Sequence, residues 1–215
     1  MKRRNIGIAV NLLIFVSTLA CLASFFLREA PKDAILSNRG WVAFRYYTTD
    51  SNVLCALGSL LTAVFMIRGR DGSMPRFVTL LKFAGTMAVI VTLLVVFCFL
   101  SLIVGGLMPL LKGANLFLHL VNPLLALLSL FFLDPVQYPS LSFRESLSGA
   151  LTVLVYGTVY FVQVVVRKAW PDFYAFNRAG RWPLTVLIMG AFSLLLCLAL
   201  QRLCLKRRRT APDKP

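Results

Sequence analysis

The residues able to do chemistry in this chain gather in three short stretches. The first is Phe44-Arg45-Tyr46-Tyr47-Thr48-Thr49-Asp50-Ser51-Asn52, which sets aromatic rings and a row of polar or acidic side chains against a long apolar run. The second is His119, the chain's one histidine, with Asn122 and Pro123 on the same helical face. The third places Tyr156, Tyr160 and Gln163 at helical spacing, ahead of the loop 170–177 that carries Asp172 and Tyr174. A threonine hydroxyl becomes a nucleophile when a base takes its proton, and an imidazole serves as that base at neutral pH. With a carboxylate nearby, Thr48 and His119 would make a nucleophile, base and orienter set. Their positions establish a shared depth in the fold but no distance.

Such residues must be positioned by apolar segments, because the chain offers little else. Of its 215 residues 59% are apolar and 14% charged, and its mean hydropathy is +0.79. The apolar residues come in long blocks of about 18 or more, the length that spans a bilayer as a helix. They do not alternate in the manner of barrel strands. The expected class is an all-α polytopic membrane protein, a single domain over residues 1–215.

The net charge of +15 lies at the ends of the apolar blocks, where Lys and Arg orient helices and meet anionic headgroups. It points to membrane lipid and not to nucleic acid. Five cysteines, none in a CxxC pair, and one histidine fit neither a disulfide framework nor a zinc site. No metal or cofactor is expected.

Six spans are read at 6–27, 48–67, 83–104, 116–133, 149–166 and 182–201. The first is too long for a signal-peptide core of about 7–15 residues. Pro31 and Gly40 break the loop after it, and a basic turn at Arg68, Gly69, Arg70, Asp71 and Gly72 comes after the second span. Lys82 is expected to snorkel to the headgroups ahead of the third span, and Asp134-Pro135 to stop the fourth. Pro183 starts the sixth, at a position where its missing N–H costs nothing. With a cytoplasmic N-terminus, the Lys and Arg divide as 14 inside against 9 outside, together the full 23. The bias places both termini in the cytoplasm, and the three tryptophans on the outer side.

In that topology the polar ends of spans two, four and five share the outer leaflet. On span two, Thr48, Ser51, Asn52, Cys55, Ser59 and Thr62 form one helical face. Helix capping by Thr48 or Thr49, with Asp50 at the positive helix end, explains part of it. Helix packing explains the small polar residues, and Asn52 is left over. On span four, Pro123 cannot bond the His119 carbonyl, so the helix opens there. An ionisable residue inside the membrane marks a functional site by default, although a neutral imidazole making one interhelical hydrogen bond is the alternative. The tyrosines of span five pack equally well as a plain helix interface.

The start of span two (Arg45-Tyr46-Tyr47-Thr48), Leu118-His119 with Pro123, and Trp170-Pro171-Asp172-Phe173-Tyr174 together resemble the androgen-induced / androgen-dependent membrane hydrolase family, more particularly its bacterial six-helix relatives. The resemblance covers most of the chain. It implies hydrolysis of fatty-acid esters by a threonine and a histidine, which by position are Thr48 and His119, with Thr49 as a neighbouring candidate hydroxyl. Thr49, Asp50, Ser51, Asn52, Asn122, Tyr156, Tyr160, Asp172 and Tyr174 are the expected binding residues, and membrane lipid or a lipid-like molecule is the expected partner in the cell membrane. A non-catalytic binding or transport protein using the same cleft is the alternative. Against transport stands the lack, in sequence, of an evident buried charge.

Overall fold

A helix rises about 1.5 Å per residue, so each of these blocks reaches across about 30 Å of hydrocarbon only by coiling. The computed structural model describes residues 2–27, 39–69, 74–134 and 141–210. The expected breaks at Pro31, at Arg70, Asp71 and Gly72, and at Pro135 lie outside these residues. Six helices are long and apolar enough to cross a membrane: α1 Lys2–Leu27, α2 Tyr47–Arg68, α3 Arg76–Val104, α4 Ala114–Leu133, α5 Phe143–Val166 and α6 Trp182–Lys206. There is no strand among the described residues.

The helices run alternately up and down. At one end, Arg3 donates to the Phe132 carbonyl in the last turn of α4, and Arg4 donates to the Met66 carbonyl in the last turn of α2. Arg76 and Glu145 pair there across the starts of α3 and α5. The arginines satisfy acceptors that a helix end leaves open, at the negative end of its dipole. This is the basal end, and the start of α2 lies at the other.

Two boundaries differ from expectation for local reasons. α5 starts at Phe143 because Ser142 and Glu145 form a reciprocal capping box, a Ser-x-x-Glu signature. In α2 neither Thr48 nor Thr49 is the cap. Tyr46 holds that position without a side-chain bond, and the helix begins at Tyr47. Both threonines therefore sit inside the first turn, and their hydroxyls are not spent on capping.

Inside α1 to α4 the core is layered. The site-end layer holds Thr18, Asn52, Thr92, His119 and Asn122, all buried. A dry layer of Ile14, Cys55, Val89 and Ala126 comes next. Below it lies a second polar layer, of which sequence placed only Ser59 on an interior face. Lys82 does not snorkel: it is 0% exposed. Its ammonium donates to Asn11 Oδ1 at 2.6 Å and to Ser59 Oγ at 2.9 Å, and stands 4.0 Å from Asp134 Oδ2. Asp134 is more than a helix stop, since its Oδ1 accepts from Asn11 Nδ2 at 2.8 Å and from Ser129 Oγ at 2.7 Å. Asn11 thus bridges the two charges with opposite ends of one amide. The bundle holds a buried ion pair after all, which corrects the expectation that it holds none.

The pair depends on a close approach of α2 and α3. A Cβ on Gly58 would lie 3.0 Å from Lys82 Cα, and one on Gly85 would lie 2.7 Å from Cys55 Cα. Small residues let two helix backbones approach in this way. Gly85→Ala is therefore expected to push α2 from α3 and lower the unfolding free energy by about 1–3 kcal/mol, the usual cost of overpacking. Thermal unfolding of the purified variant in detergent measures it.

Candidate active site

The first turn of α2 and the second turn of α4 meet at the site end. Thr48 Oγ1 lies 3.3 Å from His119 Nε2. The other ring nitrogen, Nδ1, lies 2.6 Å from the Leu110 carbonyl oxygen. A carbonyl only accepts, so Nδ1 carries a proton, and in the neutral ring Nε2 keeps its lone pair toward Thr48. That is the tautomer a general base needs.

Local structure explains how His119 comes to this position. Pro123 cannot donate in the next turn, and the helix answers with a π turn over Phe117–Val121, in which the Asn122 N–H reaches the Phe117 carbonyl. A π turn inserts one residue and rotates the helix beyond it, and such turns recur at functional sites. Ahead of it, Pro109 sits in the first turn of the 3-10 helix Met108–Leu111, whose Leu110 carbonyl orients the imidazole. His119 itself is 6% exposed.

Asn52 and Asn122 hold the two helices in register. Asn52 Nδ2 donates to the Thr48 carbonyl at 2.8 Å and the Leu118 carbonyl at 3.0 Å, so one amide ties the backbone beside each partner. Its Oδ1 accepts from Asn122 Nδ2 at 3.0 Å, and Asn122 is fixed in turn by Thr18 and Ser17 of α1. Ser51 bonds the Thr48 carbonyl and Thr92. Thr49 is buried, but the hydroxyl at the imidazole is that of Thr48.

The other expected residues lie elsewhere around the same end. Asp172 does not orient His119. Its carboxylate accepts from the Tyr160 hydroxyl and from the Phe176 and Asn177 amides, closing the loop after α5 on itself. Tyr160 is fully buried in that loop's aromatic cluster. Tyr156 donates to the Arg45 carbonyl at 2.6 Å, and the Tyr174 oxygen accepts from the Tyr47 N–H at 3.1 Å. Burial holds the Tyr174 phenol above its usual range, so it stays protonated. These groups clamp the loop over the start of α2. Asp172→Ala removes the acceptor of three hydrogen bonds, and a typical hydrogen bond contributes about 0.5–1.5 kcal/mol. The expected result is amide exchange at Phe176 and Asn177 faster by at least about tenfold, read by hydrogen exchange.

Thr48 opens on a cavity of about 220 Å³ between α2, α3, α5 and α6, with Tyr156, Tyr174, Val95 and Met189 among its walls. Its walls are mostly apolar and include Leu154 and Val186, which are 51% and 44% exposed on the outside of the bundle. Mostly apolar walls with a few polar groups are the usual make-up of a small-molecule site. Asp50 does not line it.

Sequence reasoning missed the Leu110 carbonyl, which as backbone leaves no side-chain signal apart from Pro109. It also missed Ser17, Thr18 and Thr92, small polar residues that read equally well as helix packing. Among the described residues, no three His, Cys, Asp or Glu side chains gather to hold a metal ion. The chain matches no family model, no curated protein and no solved structure, so its site is read from its own residues.

Proposed function

We propose that this chain is a membrane-embedded hydrolase of lipid (fatty-acid) esters, with Thr48 as nucleophile and His119 as general base. The observation that carries the proposal is the 3.3 Å contact between Thr48 Oγ1 and the unprotonated nitrogen of a His119 ring held from behind by the Leu110 carbonyl. In this reading Thr48 Oγ attacks the ester carbonyl while Nε2 takes the hydroxyl proton. The tetrahedral adduct expels the alcohol, which leaves with that proton, and an acyl-threonine remains. Water, deprotonated by the same nitrogen, then releases the acid and restores Thr48.

Several features support a lipid substrate. The Thr48 cavity is largely apolar and reaches side chains on the outer surface of the bundle. The motifs around Thr48 and His119 resemble those of the androgen-induced / androgen-dependent membrane hydrolases. The Lys and Arg distribution favours both termini in the cytoplasm and the site in the outer leaflet, and the resemblance to bacterial six-helix relatives of that family suggests a bacterial cell membrane. A carbonyl in place of a carboxylate behind the imidazole gives less support to the imidazolium, so turnover is expected to be slow. The test is hydrolysis of long-chain esters by purified protein: activity above a protein-free blank that Thr48→Ala and His119→Ala both remove supports the reading, and activity equal to the blank ends it.

The second reading is a non-catalytic binding or transport protein. The buried Lys82–Asp134 pair favours it, because charges inside a membrane bundle often mark a transport path.

A further inference from the structure

Tyr47 and Tyr156 form a wall with a space on each side. Thr48 lines only the first, and Asp50 lines only the second, a groove of about 430 Å³ between α2, α3 and α5. Phe44, Tyr47, Tyr156 and Trp170 put four aromatic rings on that groove. The ion pairs among the described residues, Arg76–Glu145 and Lys82–Asp134, leave the Asp50 carboxylate without a cation. Arg45, five residues before it, instead lies over the Trp170 ring, 5.9 Å from its centre. Further along the groove, the Ser148 hydroxyl oxygen is buried with no hydrogen-bond partner.

A carboxylate partly withdrawn from water calls for a cation, and the negative faces of aromatic rings attract the same ligand. A metal ion would need several oxygen ligands, whereas the groove offers one carboxylate. An organic ammonium needs only the carboxylate and the rings. The positive end of α2 also favours an acid at this position, but it accounts for neither the groove nor the rings. Apart from the hydroxyls of Ser51, Ser148 and Thr152, the remaining walls are hydrocarbon, with Leu54 on α2 and Leu151 on α5. Leu151 and Val155 are each 56% exposed, so the groove opens on the outer face of the bundle, where a chain can enter sideways.

We infer that this groove binds an ammonium-headed amphiphile, its head on Asp50 among the rings and its hydrocarbon chain along Leu54 and Leu151. The site is separate from the Thr48 chemistry and stands or falls without it. The test is native mass spectrometry of the full chain in a non-ionic detergent, titrated separately with hexadecyltrimethylammonium, hexadecyl sulfate and hexadecanol. The expected result is one saturable ammonium adduct, bound at least about tenfold more tightly than either other amphiphile, as a carboxylate with aromatic faces would give. Asp50→Asn is expected to erase that preference and Asp50→Glu to keep it. Equal binding of the three amphiphiles to the unmodified chain overturns the inference, and so does an unchanged preference in a folded Asp50→Asn variant. Should Asp50→Asn fail to fold, the comparison of head groups on the unmodified chain decides alone.

Discussion

Replacing Lys82 with methionine is expected to lower the unfolding free energy by about 3–5 kcal/mol, the cost of leaving one member of a buried ion pair without the other. The side chains are of similar length, so the loss is electrostatic and not a cavity. Asp134 would keep its bonds from Asn11 and Ser129 but would lose the ammonium that faces it. Asn11 Oδ1 and Ser59 Oγ would lose their donor together. Asp134→Asn is expected to cost a similar amount by the mirror route, since Lys82 would remain charged and fully buried. The double variant Lys82→Met with Asp134→Asn should cost less than the two singles combined, by at least about 2 kcal/mol, because no lone charge remains. Reversible unfolding in mixed micelles, run as a double-mutant cycle, reads all three values. Additive losses would mean that the two charges do not interact.

The second large effect concerns turnover. Under the proposed mechanism, Thr48→Ala is expected to lower ester hydrolysis by at least about a thousandfold, since it deletes the proposed nucleophile. His119→Ala should cost about 10²–10⁴-fold, the usual contribution of a positioned base. The two losses should not add: once the hydroxyl is gone the base has no proton to take. Thr48→Ser is expected to keep measurable activity, because it keeps the hydroxyl and loses only a methyl group. Thr49→Ala changes a buried neighbour that does not reach the imidazole, and should leave the rate within a fewfold. Steady-state kinetics with a long-chain ester separates these cases.

The six helices were legible because hydrocarbon blocks of this length have few other uses. The shared depth of Thr48 and His119 came from counting alternating spans, and the structure brings the two side chains into hydrogen-bonding distance. Their partners were less legible. A backbone carbonyl orients the imidazole in the place that a nearby carboxylate would take in a triad, and Asp172 spends its carboxylate on its own loop. Nothing in residue types separates an acid that closes a turn from one that orients a base, since both sit among aromatics near a helix end. Lys82 misled for a related reason. A lysine at the edge of an apolar block reads as interfacial, and only the start of α3 at Arg76, a full turn and more before it, carries the ammonium inside. The groups that receive it, Asn11, Ser59 and Asp134, come from elsewhere in the chain, on α1, on α2 and just past the end of α4. No local pattern announces such a convergence.

The most direct measurement on the proposed chemistry is covalent labelling of the purified chain by a long-chain fluorophosphonate, mapped by peptide mass spectrometry. An activated hydroxyl attacks the phosphorus and keeps the adduct, whereas an ordinary helix threonine does not react. The expected result is one adduct, on Thr48, that fails to form in a folded His119→Ala variant. No adduct, an adduct on Thr49 or elsewhere, or labelling of Thr48 that persists without His119 would contradict a Thr48–His119 catalytic pair.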